Sequence, residues 1–175
     1  MSILDAMRFR SLRRFLLVGL LVFLVALPAV AATRGPRAGD GTLSVRDGRG
    51  TVQIVARGST IGSVDRGEVV AIDGNQRDDN YPLLTGGRVT KLTGWVEARR
   101  GRNIRFRLVG GFHRVKIVGS GIDVSAVGRG SVTLDGDERA SETGMYSLND
   151  NEFQPLPAER KTLQLVAQPP PPPGG

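Results

Sequence analysis

Three observations predict an all-β domain behind an export signal. Short β-branched runs are punctuated by glycine, an arginine-led apolar leader opens the chain, and residues 43–67 repeat in residues 106–130 at a shift of 63. From Thr42 onward the runs are Thr51–Ala56, Glu68–Ile72, Val89–Val96, Ile104–Val109, Arg114–Val118 and Ser131–Leu134. Strands this short, closely spaced with Gly turns between them, define the class, and no window outside the leader carries a helical period.

The leader comes first. Arg8, Arg10, Arg13 and Arg14 precede the uncharged apolar run from Phe15 to Leu27, and Pro28-Ala29-Val30-Ala31-Ala32 follows. A positive region, an apolar core and small residues at the −3 and −1 positions are the pattern of a secretory signal peptide, so cleavage after Ala31 is expected. The alternative is an uncleaved anchor, but a spanning helix needs about 20 apolar residues and this run is shorter. Residues 1–31 are therefore read as a signal helix or membrane anchor, 32–41 as a linker, 42–166 as the all-β domain and 167–175 as a Pro-rich disordered tail. The expected location is secreted or cell envelope, membrane-anchored if the leader stays.

Charge and composition narrow the partners. The chain holds 24 Lys and Arg against 17 Asp and Glu, a net +7. Losing the leader removes four Arg and one Asp, leaving 20 against 16 and a net +4. A modest positive charge speaks to solubility and attraction to anionic surfaces, not to one partner. With no cysteine there is no disulfide and no Cys-ligated metal, so packing of Val, Ile and Leu must hold the domain.

The repeat sets the expected architecture. Gly48, Val52, Ile54, Val55, Gly58, Arg66 and Gly67 fall on Gly111, Val115, Ile117, Val118, Gly121, Arg129 and Gly130; one inserted residue then brings Asp73-Gly74 onto Asp135-Gly136. Two related units, 43–74 and 106–136, predict a pseudo-symmetric sandwich or barrel. A short β-solenoid is the alternative, because glycines at 50, 58 and 67 recur nearly every turn-length. Later in the chain, Leu148-Asn149-Asp150-Asn151 reads as a closing hairpin turn, Lys161–Val166 as a final strand, and the tail with its five consecutive prolines as polyproline II or disordered.

Residues 119–130, GlySerGlyIleAspValSerAlaValGlyArgGly, together with ArgPheArgLeuValGlyGly at 105–111, MetTyrSerLeu at 145–148 and ProLeuPro at 155–157, carry a resemblance. Over residues 40 to 165 the chain resembles a group of uncharacterised exported β-rich proteins of high-GC actinobacteria. The resemblance implies an envelope setting and transfers no activity, cofactor or site residue.

The sharpest candidate site is basic. Residues 105–119 read as a β-hairpin whose Gly110-Gly111 turn sets Arg107 opposite Arg114 and Arg105 opposite Lys116, with Ile104, Phe106, Leu108, Val115 and Ile117 on the core face. Like charges directly opposite destabilise an antiparallel pair, so either an acidic neighbouring strand or an anionic ligand must compensate. Arg99, Arg100 and Arg102 extend the run, with Glu97 as the nearby counter-charge. The expected partner is an anionic envelope polymer or membrane surface. Nucleic acid is disfavoured by export and by the scarcity of stacking aromatics.

Other candidates are weaker. Asp73, Asn75, Asp78 and Asp79 put hard oxygen ligands in one loop, which suits calcium by ligand type, yet the EF-hand spacing fails because Arg77 holds the fifth position. Asp135, Asp137 and Glu138 form a second cluster, and turn chemistry accounts for Asp-Gly at both places. His113, the sole histidine, must serve any Ser-His-Asp scheme, but no G-x-S-x-G elbow supplies a nucleophile. Two carboxylates do not make a glycosidase without a cleft, and Trp95, the lone tryptophan, is expected in the core. The reading is a noncatalytic exported cell-envelope or surface module with no required cofactor. The alternatives are a secreted hydrolase whose site the sequence hides, and a purely structural envelope protein.

Overall fold

The computed structural model describes residues 39–74 and 83–167. The leader, most of the linker, residues 75–82 and the proline tail lie outside them. Every described element is a β-strand: β1 (Gly41–Asp73), β2 (Leu83–Thr85), β3 (Arg88–Thr93), β4 (Val96–Gly136), β5 (Met145–Leu148), β6 (Gln154–Pro155) and β7 (Lys161–Leu165). They form one seven-stranded antiparallel sheet in the order β2-β4-β1-β5-β6, with β3 and β7 also paired to β4. The separate runs of the sequence have fused into two long strands of 33 and 41 residues.

Those two strands are wound around each other. Ile54 pairs with both Val115 and Val132, and Val115 pairs in turn with both Ile54 and Ala71. Ile54 and Ala71 are 17 residues apart, about 56 Å of extended chain, yet they sit only two strand spacings, about 10 Å, from each other. The chain must complete a turn between them. A solenoid stacks its coils in parallel, whereas every ladder here is antiparallel, so the solenoid alternative is set aside.

Two lines of glycine mark where the ribbon bends. Gly136, Gly50, Gly119, Gly67 and Gly101 pair in succession across the sheet, as do Gly41, Gly128 and Gly58. A Cβ on Gly58 would stand 2.7 Å from the Gly128 Cα, and one on Gly67 would stand 2.9 Å from the Gly119 Cα, so these seams close only without side chains. The seams cut β1 and β4 into passes of about eight residues that fall alternately into two layers. Passes 41–49, 59–66, 102–109 and 120–127 make one layer; 51–57, 68–73, 96–100, 112–118 and 129–135 make the other. Inward residues of both, among them Val45, Val64, Phe106 and Val124 from the first and Ile54, Val69, Ile117 and Val132 from the second, meet in one core.

Several expectations change in this frame. Residues 105–119 do not form a hairpin. Arg57 pairs with Phe112 and Ser59 with Val109, so Gly110 and Gly111, both at positive φ (79° and 64°), face the single Gly58 as a bulge, and β4 crosses the seam into the second layer without reversing direction. Arg107 and Arg114 are therefore not opposite each other, nor are Arg105 and Lys116. The run Val89–Val96 is broken by a turn at Gly94-Trp95, where Trp95 is 45% exposed and not in the core; its carbonyl accepts the Asp73 N–H at 3.0 Å. Gly58 and Gly121, matched by the repeat, meet different demands: Gly58 abuts the Gly128 backbone, while Gly121 takes φ +61° beside Asp65. The closing hairpin forms, with Asn149 and Asp150 both at φ 56° between β5 and β6, and the final strand is β7.

Candidate functional site: an arginine-walled trough

Alternation along the passes decides which side chains reach water. Arg105 and Arg107 point outward between the buried Ile104, Phe106 and Leu108, and Arg114 and Lys116 do so between the buried His113, Val115 and Ile117. The Gly110-Gly111 seam lies between the two pairs, so they stand on different layers. Of the four predicted anion-binding residues, the fold thus keeps two together in each of two places.

Arg105 and Arg107 wall a trough of about 650 Å³ on the outer face of the first layer. Its rows follow the register: Leu83, Arg107, Ile61, Ser125 and Ser44 across one line, and Thr85, Arg105, Ser63 and Asp123 across the next. The floor is therefore Ser44, Ile61, Ser63 and Ser125. Small hydroxyls there leave room above the sheet and offer donors and acceptors. The far wall carries Arg46, which the sequence reading missed; its guanidinium lies 4.2 Å from the centroid of the Phe153 ring, a cation–π contact that orients it. Alternation along Leu43-Ser44-Val45-Arg46 carries Arg46 to the same face as Ser44, where residues 46 and 47 bulge opposite Asp123; that period of two was the signal in the sequence that could have found it.

The electrostatics are one-sided. Among the described residues, Arg46, Arg105 and Arg107 form no salt bridge. The lining includes one carboxylate, Asp123, whose Oδ1 accepts the Asp47 N–H at 3.0 Å. Of the other cations in the basic run, Arg99 and Arg100 are matched: Arg99 Nε lies 2.7 Å from Glu97, and Arg100 lies 2.7 Å from Glu68; Arg102, Arg114 and Lys116 form no salt bridge among the described residues. Asp135 pairs with Arg160 at 3.2 Å, and the Asp137 carboxylate accepts the Arg139 N–H, so the second acidic cluster serves its turn. Asn75, Asp78 and Asp79 of the calcium expectation lie outside the described residues; Asp73 ends β1.

His113 shows geometry that resembles catalysis without access. Its Nε2 lies 2.8 Å from Thr60 Oγ1, as in a hydroxyl–imidazole pair, but the two residues are 1% and 0% exposed. Burial lowers its pKa to about 4; the Gly110 carbonyl acts weakly the other way without reaching hydrogen-bond geometry at Nδ1, which has no partner. A neutral imidazole sealed in the core meets no substrate.

Comparison with known families, with curated proteins and with solved structures yields no match.

Proposed function

We propose that the chain is a noncatalytic, exported binding module of the cell envelope whose trough holds an extended anionic polymer. One observation carries this reading: Arg46, Arg105 and Arg107, none of them in a salt bridge among the described residues, surround an open trough of about 650 Å³ floored by Ser44, Ile61, Ser63 and Ser125. Exposed strand faces usually scatter charges of both signs, and cations gathered round a concavity raise the local concentration of anions. Bidentate guanidinium groups suit carboxylate or phosphate, and a mostly apolar lining in which three serines lie beside Ile61 and Leu83 suits the C–H faces and hydroxyls of a sugar or glycerol backbone. The envelope setting rests on the leader and on the resemblance. The sandwich built from two related units belongs to this proposal too.

The test is equilibrium binding of heparin or teichoic acid to the full chain. Arg105→Gln with Arg107→Gln is expected to weaken binding by roughly tenfold per arginine and to flatten its salt dependence. Arg114→Gln with Lys116→Gln leaves the affinity nearly unchanged. Equal losses from the two pairs would mean only general charge attraction.

A further inference from the structure

From the second layer we infer an independent property: its outer face docks on an anionic lipid bilayer. The face is set by register. One row runs Gln164, Ser131, Val55, Arg114, Ile72 and Val96, and the next runs Thr162, Thr133, Gln53, Lys116, Val70, the buried Ala98 and Lys91. Toward β3, Arg114 and Lys116 therefore lie among the half-buried Val55, Val70 and Ile72, on the side of the layer that points away from the core, while toward β7 the rows are polar. Two larger apolar groups flank the rows, Phe112 at 44% exposed and Val118 at 41%. Phe112 sits beside Arg57 in the ladder, so the same pairing of apolar body and cation continues to the seam. The trough side shows Ser44, Ser63 and Ser125 at outward positions beside Ile61 and Leu83.

Charge chooses the occupant. Among the described residues, Arg57, Lys91, Arg114 and Lys116 form no salt bridge, while the carboxylates Glu68 and Asp135 in the row of Val118 are taken by Arg100 at 2.7 Å and by Arg160 at 3.2 Å. A second copy docked by the same face would set these cations against one another. A soluble polyanion would answer the charges but leave Phe112 and Val118 in water. A bilayer rich in anionic headgroups satisfies both, because cations sit at the phosphate level while adjoining apolar groups reach the acyl boundary. Lys and Arg stems lying along Val and Ile while their charged ends reach outward suit that depth.

The chain has no cysteine, so single labelled cysteines report locally, whatever the apolar leader does. An environment-sensitive fluorophore is placed at Val118→Cys on this face and, separately, at Ser125→Cys in the trough. Full-length protein is titrated with vesicles of phosphatidylglycerol and phosphatidylcholine in equal parts, and with phosphatidylcholine alone. The label at 118 is expected to shift blue and be quenched from the lipid phase with the anionic vesicles only, while the label at 125 stays in water. Arg114→Gln with Lys116→Gln lowers the vesicle affinity read at 118 about 30-fold, at about 1 kcal/mol per cation near an anionic surface. Arg105→Gln with Arg107→Gln retains the response at 118, and circular dichroism confirms that both variants are folded. A label at 118 that is silent, or that responds equally to neutral vesicles, overturns the inference. So does a shift at 118 that appears without lipid as protein concentration rises, which would assign the face to a second copy, or one that heparin alone reproduces.

Discussion

His113 stays neutral in the folded chain over most of the range where an exposed imidazole titrates, because its ring is sealed among Ala56, Thr60 and the Gly110-Gly111 bulge with one nitrogen unpartnered. Burial places its folded pKa at about 4 against an ordinary 6.5. Between those values the unfolded chain binds a proton that the folded chain refuses, so stability rises with pH across the window and falls as pH drops from 6.5 to 4. Below 4 both states are protonated and the loss stops growing. A difference of this size corresponds to about 3 kcal/mol. Thermal melts at stepped pH are expected to show that decline in the wild type and a clearly shallower one in His113→Gln, whatever the variant costs at neutral pH. Parallel slopes would place the loss in carboxylates instead. Thr60 supplies the hydrogen bond that makes the burial tolerable, and Thr60→Val is expected to destabilise by about 1 to 3 kcal/mol at pH 7, since it leaves a buried nitrogen unsatisfied.

The glycine seams are the elements on which the winding depends, and they separate two kinds of glycine. Gly58 has no room: a Cβ would meet the Val127 carbonyl and the Gly128 Cα, both backbone. Gly94 has room but takes φ +52° in a turn. Gly58→Ala is therefore expected to cost about 3 kcal/mol, since backbone must move, and Gly94→Ala only about 1 kcal/mol of left-handed strain; denaturant midpoints with unchanged slopes would measure both. What the sequence made legible follows the same division. Period-two alternation in Ile104-Arg105-Phe106-Arg107-Leu108 told which residues face inward, because that depends on the strand alone. Recurring glycines at 50, 58 and 67 marked real bends. The Gly110-Gly111 pair reads as a hairpin turn from sequence because a type I′ turn requires positive φ at both residues and a glycine pair supplies it, yet the same two glycines take positive φ here in a bulge. Only the distant partners of Val109 and Phe112 distinguish them, and those are Ser59 and Arg57. Trp95 was misplaced for a related reason: the area an indole can bury says nothing of whether a turn carries it outward.

At the scale of the molecule, the winding sorts charge that the sequence presents as one cluster. Arg107 and Arg114 are seven positions apart, yet the seam between them turns the chain from one layer to the other, so Arg105 and Arg107 join Arg46 while Arg114 and Lys116 join Val70 and Ile72. The facing cations that would have needed neutralising do not face each other at all; each has a serine or aliphatic neighbour on the adjoining strands. Two outer faces of one sheet, one a trough walled by Arg46, Arg105 and Arg107 and the other carrying Arg57, Arg114 and Lys116 beside Phe112 and Val118, suit a bridge between a lipid surface and an anionic polymer. Such a bridge makes a prediction that neither face makes alone. Vesicles half phosphatidylglycerol should retain fluorescent heparin on flotation only when the protein is present, although both partners are anionic and repel one another. Arg105→Gln with Arg107→Gln should leave the protein on the vesicles and lose the heparin, whereas Arg114→Gln with Lys116→Gln should leave heparin bound in solution and weaken its recovery with lipid. If heparin instead strips the wild-type protein from the vesicles, the two anions compete for one surface and the division of the cations between layers has no functional meaning.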